Sequence, residues 1–459
     1  NTHLKQAEEL AGIFDTSLVY NINKIYLDAY PQVSTSSGDR YPDVNDAINK
    51  VFNDGLLIFN YTGHGGEYGL SHEKVLDISM INSWTNIDRL TLFIAATCEF
   101  SRFDDPKITS AGEWVILNPN GGAVGIYTTT RLAWSDPNFK LNKIIYENAF
   151  KIIDGEYPRL GDMVRIAKTR MHTSQNVKNF VLLGDPALQL AYPKHLVKTD
   201  SVVKTNFVNV HDTLQAMAGI TVYGRITRHN GILIDDFNGI IFPTVFDKEV
   251  KYQTLGNDNS SYPANFYLQD QVLYHGMSSV KDGMFEFSFY VPRDIAYQYG
   301  YGKISYYAYD TLTFLDAHGY ERVKIGGMDD DAEMDYEGPD ISLYMNNTAF
   351  KDGDYTDSNP VLHAYLWDEQ GVNAFGNGIG HNITMYMDEQ TNQPIYLDEH
   401  YEPSLDDYQN GKIIYPFYDL EDGLHTITLT AWDVYNNPSE AKISFYVNEN
   451  GQLDIEEAY

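Results

Sequence analysis

The chain holds a single cysteine in 459 residues, Cys98, placed where the apolar run LTLFIAATCEF (Leu90–Phe100) breaks into a polar turn. A second apolar run, LLIFNYTGHGG (Leu56–Gly66), breaks in the same way and delivers His64 between two glycines. A thiol attacks as its thiolate, and a nearby imidazole is a common proton acceptor. Such a pair would carry nucleophilic acyl transfer. Cys98 attacks a carbonyl, while His64 takes the thiol proton and returns it to the departing amine. Gly65 and Gly66 leave the backbone open, so the N–H groups there could face a developing oxyanion; the N–H groups of Gly65 and Cys98 are the candidate oxyanion hole. The plainer readings are a small buried hydrophobe for Cys98 and a structural turn residue for His64. Their like placement, each just past a buried-strand pattern, favours the nucleophile–base reading.

Strands must position this pair. Continuous apolar runs are the pattern of buried parallel strands, and open parallel sheets bind ligands beyond the carboxyl ends of their strands. Strands over Leu56–Tyr61 and Leu90–Thr97 would bring His64 and Cys98 to one edge, with Glu67–Arg89 as the crossover. GGAVGIY (Gly121–Tyr127) reads as a third such strand, bringing Thr129, Thr130, Arg131 and Trp134 to the same edge. Glu99 follows the nucleophile, and Arg102 lies one turn on, where Asp104 and Asp105 compete for it. Glu67 is a candidate acid to orient His64, against its default as an exposed loop residue. His72 reads as a helix-start or surface residue, and His72–Glu73 lacks the second histidine that a metalloprotease motif needs. Elsewhere a strand is expected at Lys24–Asp28, a polar loop with a solvated Arg40 at Ser34–Pro42, and helices near Val44–Phe52, Leu141–Phe150 and Met163–Met171. A closing strand region is expected at Phe180–Leu190.

Lys plus Arg is 32 against 64 Asp plus Glu, a net charge of −32. That surface repels nucleic acid and anionic membrane as direct partners. One cysteine forbids an internal disulfide. No run approaches the roughly 18–20 apolar residues of a membrane helix, and the opening NTHLKQAEELAGIF reads as a helix rather than a signal peptide. From about residue 197 helical spacing gives way to short alternating strands, among them GITVYGRIT (Gly219–Thr227), GIIFPTVFD (Gly239–Asp247), GMFEFSFYVP (Gly283–Pro292) and KISYYAYD (Lys303–Asp310). This spacing predicts an antiparallel sandwich. GGMDDDAEMDYEGPD (Gly326–Asp340) reads as a solvated acidic linker. Its carboxylates are the hard donors that suit Ca2+, without the EF-hand pattern. ISLYMNN (Ile341–Asn347) opens a second sandwich.

YTGHGGEYG (Tyr61–Gly69) and AATCEF (Ala95–Phe100) resemble the His and Cys blocks of the gingipain family, cysteine peptidases of caspase-like fold. Three further blocks fit in order: VNDAINKVFNDGLLIFNYTGHG (Val44–Gly65), NPNGGAVGIYTTTRLAWSDP (Asn118–Pro137) and FVLLGDPALQL (Phe180–Leu190). Downstream, GNGIGHNITMYMD (Gly376–Asp388) and AWDVYNNPSEA (Ala431–Ala441) are similar to the module that follows the peptidase domain in PorU-type sortases of the type IX secretion system. Gingipains have one immunoglobulin-like domain there, so two β modules favour the sortase branch.

The resemblance implies an α/β caspase-like (gingipain-like) doubly wound sheet, C-terminal half only, at 1–196. Two all-β immunoglobulin-like sandwich domains are expected at 197–338 and 339–459. Family members carry further strands upstream and an acid that orients the His; neither is visible here, so the upstream half of the same polypeptide is an expected partner. GQLDIEEAY (residues 451–459) stands where such proteins continue into a C-terminal signal-type module. The implied roles are Cys98 as nucleophile, His64 as base, and the backbone of Gly65 and Cys98 as oxyanion hole. Trp134, Thr130, Arg131 and Glu99 are the implied substrate-binding residues, with Trp134 as a pocket wall. No metal enters the chemistry and no cofactor is required; Ca2+ is expected only as a structural ion. The implied task is to remove the C-terminal signal domain of secreted cargo and join the cargo to a lipopolysaccharide anchor. The setting would be the surface of a Gram-negative bacterium, beside an outer-membrane barrel partner. No acid is assignable at the base of a pocket for Arg or Lys, so a small or polar residue is expected before the cleaved bond. The alternatives are a secreted gingipain-like endopeptidase without transpeptidation and a non-catalytic adhesin built on a peptidase fold. The intact Cys–His pair counts against the adhesin.

Overall fold

The runs that deliver His64 and Cys98 form neighbouring parallel strands. The structure, a computed structural model, describes residues 2–15, 19–153, 155–205, 213–257, 261–374, 380–388, 390 and 392–448. The start of the Gly376–Asp388 block and the GQLDIEEAY segment lie outside the described residues. The chain divides into two units: Asn1–Tyr192 with Lys251–Leu268, and Pro193–Val250 with Gln269–Tyr459.

The first unit runs α1 (Thr2–Asp15), β1 (Val33–Thr35), β2 (Gly38–Arg40), α2 (Pro42–Asp54), β3 (Ile58–Thr62), β4 (Gly65–Gly66), β5 (Gly69–Leu70) and β6 (Leu76–Asp77). There follow α3 (Ile78–Ser83), β7 (Thr91–Ala96), α4 (Ala111–Leu117), β8 (Ala123–Thr129), α5 (Ser135–Ala149), α6 (Leu160–Arg170) and β9 (Phe180–Gly184). The main sheet has the order β3-β7-β8-β9. β3, β7 and β8 are parallel, and β9 runs antiparallel to β8. β7 is buried at every position, which is why its sequence is apolar throughout instead of alternating. Its side chains still divide between two faces. Phe93 and Ala95 join a core with α2, α3 and α4, whereas Leu92 and Ile94 join a second core with α1, α5 and α6. The sheet thus carries helices on both sides. Local signals set the helix ends. Pro42 opens α2, and Gly55, at φ 88°, follows its last turn. Ser110 and Glu113 form a capping box on α4.

Two expectations change here. Lys24–Asp28 is not a strand and leads into a short 3-10 turn at Leu27–Ala29. Its polar groups are spent on side-chain contacts: the Asp28 carboxylate accepts the N–H groups of Gly256 (3.1 Å) and Asn257 (2.8 Å), and Lys24 pairs with Glu8 at 3.1 Å. A short apolar run does not by itself supply a partner strand. The Ser34–Pro42 loop is largely the β1–β2 hairpin, with Thr35 opposite Gly38.

In the second unit, the expected first sandwich is one continuous nine-stranded sheet. His195–Lys204 pairs antiparallel with Gly219–Thr227 and, at its start, parallel with Asp316–Met328, so the sheet returns to its first strand. The register shift between Thr199 and Ser201 marks a bulge in the pairing with Gly219–Thr227, which bends the strand. Alternate residues such as Phe285, Phe287 and Phe289 fill its core. The last module has two sheets, of four and five strands, around one core that includes Leu362, Ile413, Ile427 and Phe445.

Candidate active site

Pairing of β3 with β7 sets Thr62 opposite Ala96. His64 and Cys98 therefore each stand two residues past the last paired position, on strands about 4.8 Å apart. The two loops touch. Gly63 N–H donates to Ala96 O at 3.4 Å, and a Cβ built on Gly65 would lie 2.5 Å from Thr97 Oγ1.

The backbone of His64 is pinned. Its carbonyl accepts Ser71 N–H at 2.8 Å and the Tyr61 hydroxyl at 2.6 Å. Burial drives the Tyr61 pKa well above the ordinary phenol value, so this hydroxyl stays protonated and keeps donating. Ser71 pairing with His64 makes Gly65–Leu70 the non-hydrogen-bonded pair of the β4–β5 ladder, which turns Gly65 N–H away from β5. Cys98 N–H meets no acceptor among the described residues. Both N–H groups are thus free of the nearby ladders.

Cys98 is partly exposed, and its Sγ lies 3.4 Å from both the N and the O of Ala133. Glu99 adopts φ +51°, so the chain reverses just after the cysteine, and its N–H donates to Arg131 O at 3.3 Å. The loop carrying three of the four expected substrate contacts is stitched to this turn, which carries the fourth, Glu99. Thr130 is buried, with its N–H (2.8 Å) and hydroxyl (3.2 Å) both on Asn179 O. Arg131 grips Asp104 in bidentate fashion at 2.9 and 2.5 Å. Trp134 is 78% and Leu132 71% exposed. Glu99 lies 3.7 Å from Arg102.

Glu67 does not orient His64. Its carboxylate accepts from Arg102 at 2.5 Å, because the β4–β5 turn carries it toward the loop after Cys98. Of the two acids after Arg102, Asp105 lies 3.9 Å from that residue, while Asp104 is engaged by Arg131. His72 is an exposed residue, as expected, in the turn between β5 and β6 and not at a helix start, and its ring lies 23° from parallel to His64 with centroids 5.9 Å apart.

Two features carried no signal in the sequence. His3, in the first turn of α1, meets the His64 ring edge-on with centroids 5.3 Å apart. An asparagine network underlies the Trp134 loop. Asn176 donates to Trp134 O (2.8 Å), accepts from Trp134 N–H (3.3 Å) and donates to Asn138 Oδ1 (2.6 Å). Asn138 in turn donates to Thr97 O at 3.3 Å, one residue before the cysteine. Isolated asparagines in polar stretches give no such hint.

Gly65→Ala is expected to lower kcat/KM about 100-fold, since its Cβ would displace the His64 loop from Thr97 by an amount that such geometry does not tolerate. Steady-state kinetics beside a thermal melt checks this; the fold should lose no more than about 1–3 kcal/mol.

A possible metal-holding group lies in the second unit. Carboxylate oxygens of Asp335, Asp368 and Asp433 come within 4.8 Å of one another. Asp433 is 0% and Asp368 4% exposed. Burial, and then the charge of Asp433, push the Asp368 carboxyl up to about 7. Asp335 comes from the acidic linker, and three hard oxygen donors fit Ca2+ in kind.

Residues 2–191 match the model of peptidase family C25. Over that segment the chain is similar to the cysteine peptidases of this family. Among solved structures it is similar to dimeric latent PorU from Porphyromonas gingivalis, with 28% identity and a TM-score of 0.39, covering 72% of this chain and 31% of that one. It is also similar to the Arg-specific cysteine proteinase gingipain R (RGPB), with 15% identity and a TM-score of 0.34, covering 71% and 62%. The complex of Porphyromonas gingivalis RgpB pro- and mature domains gives 17% identity and a TM-score of 0.34, covering 70% and 63%. The chain therefore spans less than two thirds of each of these proteins. A comparison with curated protein sequences gives no match. No helix among the described residues is long and apolar enough to cross a membrane.

Proposed function

We propose that this chain is a cysteine peptidase that works as a sortase-type transpeptidase on secreted cargo. The observation that carries the reading is the placement of Cys98 and His64 at the carboxyl ends of paired strands, beside N–H groups that the ladders leave free. Cys98 attacks the carbonyl before the signal domain as its proton passes to His64. The oxyanion gains the N–H groups of Gly65 and Cys98. Collapse breaks the C–N bond, and His64 returns its proton to the departing amine, leaving a thioester on Cys98. An amine of a glycolipid then attacks, gives its proton to His64, and releases the thiol; water in its place gives hydrolysis.

The carboxylates around the Trp134 loop support a small or polar residue before the cleaved bond. Asp104 is paired with Arg131, Glu67 with Arg102, and Glu99 lies beside Arg102. A pocket selecting Arg or Lys needs an acid free to meet it. The proposed setting is the outer surface of a Gram-negative bacterium, with lipopolysaccharide as acceptor, and with an outer-membrane barrel protein and the upstream half of the polypeptide as partners.

The test is to incubate the full-length protein with cargo bearing its signal domain and a soluble amine, then read the new cargo C-terminus by mass spectrometry. Cargo joined to the amine supports the sortase. A free carboxylate alone favours the plain endopeptidase, and uncut cargo the adhesin.

The structural ion we propose is Ca2+ at Asp335, Asp368 and Asp433. Asp368 has a raised folded pKa, so its stabilising contribution is full below about pH 4, the unfolded value, and is lost as pH rises through about 7. Three pKa units at about 1.4 kcal/mol each set a ceiling near 4 kcal/mol. The expected result is a melting temperature that falls between pH 5 and pH 8 in chelator, and falls less in Asp368→Asn. Ca2+ should restore it at pH 8 in the native protein only.

A further inference from the structure

We infer that Thr129 and Asn138 are positioning residues of the oxyanion hole. Together they fix the plane of the Thr97–Cys98 peptide, and with it the direction of the Cys98 N–H. The inference rests on the catalytic reading of Cys98 and His64 above.

β7 reaches its last paired position with β8 at Ile94 and Tyr127. Beyond it the chain is still buried through Thr97, so its carbonyls need donors. Three in a row find them. Ala95 O accepts the Thr128 hydroxyl at 2.9 Å, Ala96 O accepts Gly63 N–H at 3.4 Å, and Thr97 O accepts the Thr129 hydroxyl at 2.8 Å. A second donor, Asn138 Nδ2, reaches Thr97 O at 3.3 Å. A carbonyl oxygen has two lone pairs, and here both are used.

The Asn138 amide is held in one orientation. Trp134 N–H donates to Asn176 Oδ1 at 3.3 Å and Trp134 O accepts from Asn176 Nδ2 at 2.8 Å, so the backbone of Trp134 sets the Asn176 amide. Asn176 Nδ2 also donates to Asn138 Oδ1 at 2.6 Å, which leaves Asn138 Nδ2 for Thr97.

A peptide is planar, and its N–H points opposite to its carbonyl. Holding Thr97 O therefore aims Cys98 N–H the other way, where it meets no acceptor among the described residues. The Thr97 hydroxyl also has no partner among them, so the side chain of that residue does not set the plane. The two anchors come from different elements, the end of β8 and the first turns of α5. Both are buried and out of reach of substrate. An N–H fixed in this way needs no reorganisation when the oxyanion forms.

The test uses the full-length protein with a peptide spanning the junction of cargo and signal domain. It reads turnover beside the rate of Cys98 alkylation by iodoacetamide. Alkylation is a displacement at saturated carbon; it needs the thiolate and forms no oxyanion. Thr129→Val keeps the shape and removes the donor. It is expected to lower kcat about tenfold, a part of the roughly 10²–10³ lost with a whole oxyanion donor. KM should be unchanged, because the N–H is used only in the transition state. Alkylation should keep the wild-type rate. Thr129→Ser retains the hydroxyl and should restore kcat. Asn138→Ala should lower kcat in the same way as Thr129→Val. Wild-type kcat in Thr129→Val and Asn138→Ala would overturn the proposal. So would alkylation that slows in step with turnover, or equal losses in Thr129→Val and Thr129→Ser that track a lowered melting temperature. Cys98→Ala runs in parallel. If it still turns the peptide over, the catalytic reading fails; if it is inactive while Thr129→Val is unaffected, only the role of the carbonyl anchors fails.

Discussion

Cys98→Ala is expected to lower peptidase turnover by about 10⁴- to 10⁶-fold, the scale on which removal of a nucleophile acts. The structure gives the side chain little else to do. It is partly exposed, and its sulfur makes its hydrogen-bond contacts, at 3.4 Å, with the backbone of Ala133. The loss of folding stability should therefore stay within about 1 kcal/mol, the scale of one weak hydrogen bond. His64→Ala should cost about as much activity, and the double variant little more, because nucleophile and base act as a unit. Turnover of a signal-domain substrate, measured beside circular dichroism, checks both parts. Activity retained within tenfold, in folded Cys98→Ala, would remove the thioester from the mechanism.

Trp84→Ala is expected to destabilise the first unit by about 3–5 kcal/mol, the range for emptying a buried aromatic site. The indole is 1% exposed and stacks on Phe52 at 3.8 Å and 9°. Its Nε1–H donates to Asn49 at 3.0 Å, so alanine also leaves that amide without its partner. Phe52 packs on Phe59 of β3 and, more distantly, Phe93 of β7, the strands that carry His64 and Cys98. The expected readout is a lower denaturant midpoint for the transition of that unit. The fraction still folded should keep its kcat per active site, since the substitution touches the core beneath the strands and not their ends. A midpoint unchanged within error would show that the site collapses around the missing indole.

Much of the fold of the first unit was legible in the sequence because its signals are local. A fully buried strand shows as an unbroken apolar run, which is how β7 declared itself. A run ending in glycine or a polar turn marks where a side chain leaves the sheet, and that placed His64 and Cys98 on one edge. The helices over residues 42–54, 135–149 and 160–170 follow from their own spacing and caps. The charge balance, and the lack of any membrane-spanning apolar helix among the described residues, needed no structure beyond composition and run length.

What the sequence could not decide are pairings between residues far apart along the chain. His3 and His64 are separated by 61 positions, and only the packing of α1 on the sheet brings their rings to 5.3 Å. Glu67 turned to Arg102 and not to His64 because a tight β4–β5 turn reverses the chain there. Asn176 reaches the Trp134 loop, and Asp335 reaches Asp368 and Asp433, across elements whose order in space is set by register and twist. The first downstream module, expected as two sheets, is one continuous sheet because His195–Lys204 pairs with Gly219–Thr227 and, at its start, with Asp316–Met328. Periodicity records whether a side chain is buried and to which side it points. Its partner is fixed only when strand register and helix packing are complete, and those depend on the whole chain at once.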